Sequence, residues 1–331
     1  MDIDSPLQND PATYRMARPG LTLNPILPRE QRSTGERRTM ILTIMAVGRR
    51  LRPAVFAVLA ATALPGCGAI KAEIHDPRSL PTLAQDSRVH YQPGSQDDAR
   101  TVAAMLAQAM RTVEAAQGGP FGGPFTVTTY RDQAAYAAAS GGGGSGQAMA
   151  MTYFDRISIS PQLLRKHRPW LQQDLTVELS HEHFWGHLST LTYFRLPIWF
   201  VEGVGVMVSQ GGGAQLVSDD EARRALCAGA AVEVTDDPPL LNNFGFRPVP
   251  VSNPSLRFRM QMAYRQSGLF VTNLRQSDGK AFAELMRRLY AGEHFANAFT
   301  ASYGVPLWVR WNAFLQATQH ACAADALHGN R

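Results

Sequence analysis

The stretch 175-LTVELSHEHFWGHL-188 concentrates three histidines and two glutamates within about four turns of a helix. Side chains three or four residues apart on a helix lie on the same face, which is how a zinc-binding helix presents its ligands. The signature of such a helix is His-Glu-x-x-His, in which the histidines bind the metal and the glutamate is the general base. The stretch therefore indicates a metal-binding helix, and the question is which of its residues form the site.

None of the three possible registers reproduces this signature in full. Residues 181–185 begin with His-Glu but end on Trp, and residues 183–187 contain both histidines without the glutamate. Residues 177–181 contain the glutamate and the second histidine, but Val177 stands where the first histidine belongs. The choice among these registers depends on the rest of the chain.

His183 and His187 are spaced four residues apart and form an alternative metal-binding pair. On a helix they lie about 200° and 240° around the axis from His181. They therefore face away from the line that joins residues 177 and 181, and neither replaces a ligand missing at 177. Two partly exposed or capped histidines are the commoner outcome for such a pair.

The basic charge of the chain is concentrated near its N-terminus. Residues 1–66 contain nine arginines and five acidic residues, whereas the chain from Cys67 onward contains 23 basic and 22 acidic residues. The pI of about 9.3 therefore gives no argument for nucleic acid binding, and we expect no nucleic acid partner.

Residues 40–66 have the organisation of a secretory signal. Three arginines precede the 13-residue apolar run 53-PAVFAVLAATALP-65, which is too short for a permanent membrane span. The sequence 64-LPGC-67 resembles a bacterial lipobox, which implies that Cys67 is acylated and anchors the chain to the membrane. An ordinary signal followed by a chance cysteine is the alternative. Gly68, rather than Asp, follows the cysteine, so the expected location is the periplasmic side of the outer membrane.

The remaining sequence divides into three segments. Residues 1–39 are polar and Pro-rich, and we expect them to be disordered or to precede a true start at Met40 or Met45. Residues 67–98 are rich in Pro, Asp and Gln and predict an extended linker. Residues 99–325 predict one domain, since they contain neither an internal repeat nor a second boundary.

Apolar spacing in this domain predicts an α+β fold with a small mixed sheet followed by a mostly helical C-terminal half. Its first part predicts, in order, a helix over 98–117, a strand over 124–130, a short helix over 131–139 and strands over 147–154 and 156–160. After Pro161 helical patterns dominate, beginning with helices over 169–191 and 197–209.

Twenty residues separate His181 from Glu202, which is enough to end one helix and enter the next. This spacing and the segment 196-LPIWFVEGVGVMVS-209 resemble the peptidase-MA-like branch of the gluzincin zinc metallopeptidases. In that family a Pro-x-Trp-x-x-Glu-Gly segment follows the His-Glu-x-x-His helix and supplies the third zinc ligand. Segments 263–275 and 291–307 resemble the helical tail of the family, so the resemblance covers roughly residues 120–318.

The resemblance implies a zincin-like fold and a set of roles. His181 and Glu202 would be zinc ligands, Glu178 the general base, and Tyr264 a side chain that assists an oxyanion. The first ligand position falls on Val177, which cannot coordinate a metal, so zinc binding is expected to be weak or absent. A hydrogen-bonded His181–Glu202 pair without an ion is the alternative, as is a purely structural Tyr264.

Three functions remain open at this point. The chain is an envelope lipoprotein whose metallopeptidase-like domain is catalytically impaired but retains a cleft for a peptide or an envelope protein, or it is an active zinc metallopeptidase. The third possibility is a structural envelope lipoprotein. Val177 favours the first function over the second.

Cys227 and Cys322 are the other two cysteines of the chain. In an oxidising periplasm they form either a disulfide or two separate buried thiols, and their spacing does not decide between these outcomes.

Overall fold

The computed structural model describes four segments of the chain: 76–140, 148–236, 247–253 and 255–328. All of them lie in the second of its two units, Ala63–Arg331. The expected extension 1–39, the expected signal 40–66 and Cys67 fall outside the described residues. None of the helices within the described segments is long and apolar enough to cross a membrane.

A five-stranded mixed sheet forms the first layer of the fold. Its strands are β1 (Thr82–Leu83), β2 (Asp86–Tyr91), β3 (Thr126–Thr129), β4 (Ala150–Tyr153) and β5 (Arg156–Ile159). In the sheet order β1-β2-β3-β5-β4, the pairs β2–β3 and β3–β5 are parallel, and β1–β2 and β4–β5 are antiparallel. Strand β4 therefore lies at an edge of the sheet. The expected α+β class with a small mixed sheet is confirmed.

The prediction of an extended linker over residues 67–98 is wrong for the second half of this segment, because residues 82–91 form β1 and β2. Val89 and His90 of β2 are buried, and Val89 pairs with Val127 of β3. Most of this strand is polar, so it has no apolar alternation that distinguishes it from a linker. Its burial comes from pairing with a strand far along the chain, which local sequence does not encode.

Eleven α-helices surround or follow the sheet within the described residues. They are α1 (Gln96–Gln117), α2 (Gln133–Ala139), α3 (Pro161–Arg165), α4 (Leu171–His187), α5 (Thr190–Tyr193), α6 (Ile198–Ser209), α7 (Asp219–Cys227), α8 (Leu256–Ser277), α9 (Gly279–Tyr290), α10 (Phe295–Tyr303) and α11 (Leu307–His328). No described residue after β5 belongs to a strand, so the mostly helical second half is confirmed. Helix α1 buries a stripe at helical spacing that includes Val102, Leu106 and Val113, as expected for an amphipathic helix.

Helix α4 is shorter than the helix expected over 169–191. Its N-terminus follows a 3₁₀ turn, Arg168–Trp170, and its C-terminus is at His187 because Leu188 has an extended backbone. Ser189 then caps the separate short helix α5 through the amide of Thr192. This break between α4 and α5 directs the chain back towards the sheet edge.

Helix α6 packs closely between α4 and α8 because glycines lie at the contacts. A Cβ atom on Gly203 would lie 2.8 Å from the carbonyl oxygen of Ser267, and one on Gly268 would lie 2.4 Å from Val206 Cγ1. A Cβ on Gly205 would lie 3.2 Å from Val177 Cγ1 on α4. These contacts fix the distance between the helices that carry the candidate site residues.

Cys227 at the end of α7 and Cys322 on α11 form a disulfide, with 6.6 Å between their Cα atoms. The sequence allowed either a disulfide or two separate buried thiols, and the structure has the disulfide.

Candidate active site

A cleft of about 600 Å³ lies between the edge strand β4 and the helices α4, α6 and α8. Helix α4 lines it with Asp174, Val177, Glu178 and His181, whose spacing of three, four and seven residues places them on one face. Helix α6 adds Glu202. The three residues of the favoured 177–181 register and its partner glutamate therefore share one cavity.

His181 lies between two carboxylates. Its Nε2 atom is 3.6 Å from Glu202 Oε2, and its Nδ1 atom is 3.8 Å from Glu178 Oε2. Two residues expected to be ligands of one zinc site therefore lie within a few ångströms of each other. Among the described residues, the buried Nε2 atom has no hydrogen-bond partner. At 3.6 Å the His181–Glu202 contact is an ion-pair contact slightly longer than a hydrogen bond, and a His181–Glu202 pair without an ion stays a prediction.

Burial and neighbouring charges shift the pKa values of His181 and Glu202. Burial disfavours the charged imidazole of His181, but the carboxylates of Glu202 and Glu178 outweigh burial and raise its pKa. Burial raises the pKa of Glu202 against the attraction of His181, and the nearby carboxylate of Glu178 raises it further. A positive charge in the cleft is thus stabilised by two carboxylates.

Glu178 is held by the edge strand. The hydroxyl of Thr152 on β4 donates to Glu178 Oε2 at 2.6 Å and also contacts the Glu178 carbonyl oxygen at 2.9 Å. The glutamate side chain is 12% exposed, so it faces the cleft while remaining mostly buried. This anchoring is suited to a general base, whose carboxylate must keep a fixed position relative to the substrate.

Two tyrosines line the cleft. The carboxylate of Glu202, burial and the carboxylate of Glu178 raise the pKa of Tyr264, so its phenol remains a proton donor. Burial, followed by the same two carboxylates, raises the pKa of Tyr193. Tyr193 is stacked on Trp185 with 3.9 Å between ring centroids. Sequence reasoning identified Tyr264 but missed Tyr193, which belongs to a short helix without a motif.

Asp174 is a buried carboxyl group that sequence reasoning also missed. Its Oδ1 atom accepts a hydrogen bond from the amide of Gly213 at 3.1 Å and another from the side chain of Gln215. Burial raises its pKa to about 6. Asp174 could have been identified from the sequence by its position seven residues before His181, which places both side chains on the same face of the helix.

The side chains present do not fit a zinc site with three protein ligands. Val177 is 5% exposed, lines the cleft and packs where α4 meets Gly205 and Gly212. In the part of the chain that the structure describes, no group of three or more His, Cys, Asp or Glu side chains is arranged to hold a metal ion. At a zinc site on this face, His181 and Glu202 would supply two ligand atoms and Val177 would supply none.

The alternative pair His183 and His187 lies outside the cleft. His183 is fully buried; its Nε2 atom donates to the Gly119 carbonyl oxygen at 3.1 Å, so Nδ1 accepts from the Tyr290 hydroxyl at 2.8 Å. Burial lowers the pKa of His183 to about 4, which keeps it neutral. His187 Nδ1 contacts the His183 carbonyl oxygen at 2.8 Å. Because both ring nitrogens of His183 are used in the fold, this pair is not a metal site.

No family model matches the chain, and comparisons with curated proteins and with solved structures also find no match. The function has to be inferred from the cleft and its side chains.

Proposed function

We propose that the chain is a peptide-binding envelope lipoprotein built on a zincin-type cleft, with impaired capacity for zinc-dependent hydrolysis. One observation carries the proposal. His181 and Glu202 meet at 3.6 Å in the cleft, while Val177 occupies the remaining position of the ligand face.

Peptide binding is supported by the position of β4. This strand is at the edge of the sheet and lines the cleft with Ala150, Met151 and Thr152. An edge strand presents unpaired backbone amides and carbonyls, which pair readily with an extended peptide. A volume of about 600 Å³ is also within the usual range of ligand pockets.

Impaired hydrolysis follows from the chemistry of the donor set. Zinc sites usually have three or four protein ligands, and this face of the cleft offers two. When bound, zinc would lower the pKa of a water molecule for attack on a peptide bond. Glu178 is placed to accept a proton in the cleft. The step that is impaired is therefore the binding of zinc rather than the transfer of a proton to the base.

An active zinc peptidase is the second candidate. The observation that favours it is the buried Nε2 atom of His181, which has no hydrogen-bond partner among the described residues and lies beside Glu202. Two ligand atoms of one site thus remain available. Zinc content and peptidase activity separate the two candidates.

Attachment to the periplasmic side of the outer membrane through Cys67 is part of the proposal and rests on 64-LPGC-67 alone. Palmitate labelling of cells that produce the chain should label it, and Cys67→Ala should abolish the label. Labelling that persists in Cys67→Ala would contradict the lipid anchor.

The proposed function is tested by measuring zinc content and peptide binding on the same purified protein. We expect well below one zinc per chain and binding of a fluorescein-labelled random hexapeptide library that survives EDTA. Met260→Trp fills the cleft from α8 and should weaken binding, whereas Leu191→Trp, at a side chain that is 50% exposed and outside the cleft, should not. Stoichiometric zinc with Glu178-dependent cleavage would instead establish the peptidase.

A further inference from the structure

Helix α8 forms one wall of the cleft with a stripe of side chains. Arg257, Met260, Gln261 and Tyr264 all line the cleft and are spaced three, four and seven residues apart. This spacing places them on a single helix face. The stripe begins with a cation at Arg257 and ends at Tyr264, whose pKa is raised by the carboxylate of Glu202. Helix α8 therefore connects Arg257 to the part of the cleft that contains the candidate catalytic residues.

Arg257 forms no ion pair within 4 Å in the described parts of the chain, although it is partly buried, and its charge acts on Asp174 from a longer distance, where it opposes the rise in the pKa of that carboxyl group. Arg265 on the same helix differs, because its guanidinium contacts Asp219 at 3.3 Å and the Ala214 carbonyl oxygen at 2.9 Å. The guanidinium of Arg265 is thus held by a hydrogen-bonded ion pair, whereas Arg257 interacts with Asp174 only through longer-range attraction. A partly desolvated guanidinium is stabilised by an anion, and its planar donors match a carboxylate.

The opposite wall limits the kind of anion that Arg257 can bind. Asp174, Glu178 and Glu202 all line the same cleft, so it already contains three acidic side chains. A doubly charged phosphate would be repelled more strongly than a singly charged carboxylate. The charge distribution therefore favours a carboxylate at Arg257.

The length of the stripe gives the distance between the two ends of the site. Seven residues of helix span about 10 Å, since each residue rises about 1.5 Å. An extended peptide advances about 3.3 Å per residue. A peptide that follows the stripe therefore covers it with about three residues.

We infer that Arg257 binds a carboxylate of the peptide ligand, about three residues from the peptide unit that lies beside His181, Glu178 and Glu202. The carboxylate belongs either to the C-terminus of the peptide or to an Asp or Glu side chain. This inference rests on the proposed function, because it assigns the ligand chemistry of the same cleft.

The test compares three fluorescein-labelled hexapeptide libraries by fluorescence anisotropy. The first has a free C-terminal carboxylate and no acidic side chain, the second is the same library with an amidated C-terminus, and the third is amidated with one Asp fixed at each position in turn. Each library is measured with the full chain, with Arg257→Gln and with Arg275→Gln. Arg275 is an exposed arginine on the same helix, so it is the matched control.

We expect the wild-type chain to bind at least one carboxylate library about tenfold more tightly than the amidated library, which is typical of a hydrogen-bonded charge pair. Arg257→Gln should remove this preference, and Arg275→Gln should retain it. Preference for the first library identifies a C-terminal carboxylate, and preference for the third identifies a side chain and its position.

Two results would overturn the inference in distinguishable ways. Arg257 does not bind a ligand carboxylate if the wild-type chain binds the carboxylate libraries no more tightly than the amidated library. The same conclusion follows if Arg257→Gln retains the preference for a carboxylate. In both cases the proposal that the cleft binds peptides is unaffected. If none of the libraries binds the wild-type chain, the proposed function fails together with the inference. Circular dichroism and thermal unfolding of each variant establish that the compared proteins are folded.

Discussion

Thr152 of the edge strand donates its hydroxyl to the carboxylate of Glu178 on α4, with 2.6 Å between Oγ1 and Oε2. This bond joins the strand proposed to bind peptide to the residue proposed to act as base. The position of the base therefore depends on the sheet as well as on its own helix.

Thr152→Val should lower the free energy of unfolding by about 1–2 kcal/mol, because the mostly buried Glu178 carboxylate loses a donor. Thr152→Ser keeps the hydroxyl and is the matched control. Urea denaturation at pH 7 measures both. Equal stability of the Val variant and the wild-type chain would show that the hydroxyl contributes nothing to the fold.

Val177→His should raise zinc affinity by about 100-fold, since each ligand of a protein zinc site contributes on the order of 3 kcal/mol. The imidazole has to turn into the cleft, because Gly205 and Gly212 pack against the present valine. Val177→Ala opens the same space without a ligand and is the control. Zinc affinity is measured by isothermal titration after bound metal has been removed. Equal zinc affinities of the His and Ala variants would show that residue 177 does not lie at a ligand position.

In the Val177→His variant, Glu178→Gln should abolish any gained peptidase activity while zinc remains bound. The amide cannot accept a proton as a carboxylate does, but residue 178 is not one of the proposed ligands. Zinc content and cleavage of a quenched fluorescent peptide are measured together. Activity that persists in the double variant would assign the base to another group.

Asp174 should make the stability of the chain depend on pH. Its pKa is about 6 in the fold against an ordinary value of 3.8, so between these values the folded state binds more protons than the unfolded state. Stability is therefore lost as the pH rises from about 4 to about 6. Asp174→Asn should be more stable than the wild-type chain by on the order of 2 kcal/mol at pH 7 and similar at pH 4.

Denaturant unfolding at several pH values tests this, with Asp97→Asn as a control because the Asp97 side chain is 93% exposed. The prediction fails if the difference between wild-type and Asp174→Asn proteins is the same at pH 4 and pH 7.

Loss of the Cys227–Cys322 disulfide should lower the free energy of unfolding by about 2–4 kcal/mol, because it closes a long loop in the unfolded chain. Cys322→Ser and the double Ser variant should be destabilised equally. Alkylation of unfolded, unreduced protein followed by peptide mapping should find neither cysteine modified. Modification of both would contradict the disulfide.

The helical part of the fold was accessible from sequence because its signals are local. Apolar periodicity identified α1, and Pro197 with the glycines after Ser209 identified α6. The pairing of His181 with Glu202 was also expected, because their spacing resembles that of the gluzincins and because both helices were expected to bury apolar faces in the same core. These elements needed no knowledge of distant contacts.

The parts that sequence missed depend on distant contacts. Strand β2 is mostly polar and pairs with β3, a strand far along the chain, and the Thr152–Glu178 bond joins residues of different layers. Tyr193 reaches the cleft because α4 stops at His187 and a new helix starts, a boundary that the pattern over 169–191 does not reveal. Such features are set by three-dimensional packing rather than by local spacing.

Gly205 contributes no side chain to the cleft, yet it determines how closely α6 approaches Val177 and His181 on α4. A methyl group there would lie 3.2 Å from Val177 and 3.4 Å from His181 Nε2, so its neighbours would have to yield by a few tenths of an ångström. Such a shift is comparable with the tolerance of a metal–ligand bond. In the proposed site, the spacing between α4 and α6 would therefore depend on the single hydrogen atom at position 205 as much as metal binding would depend on the side chain at 177.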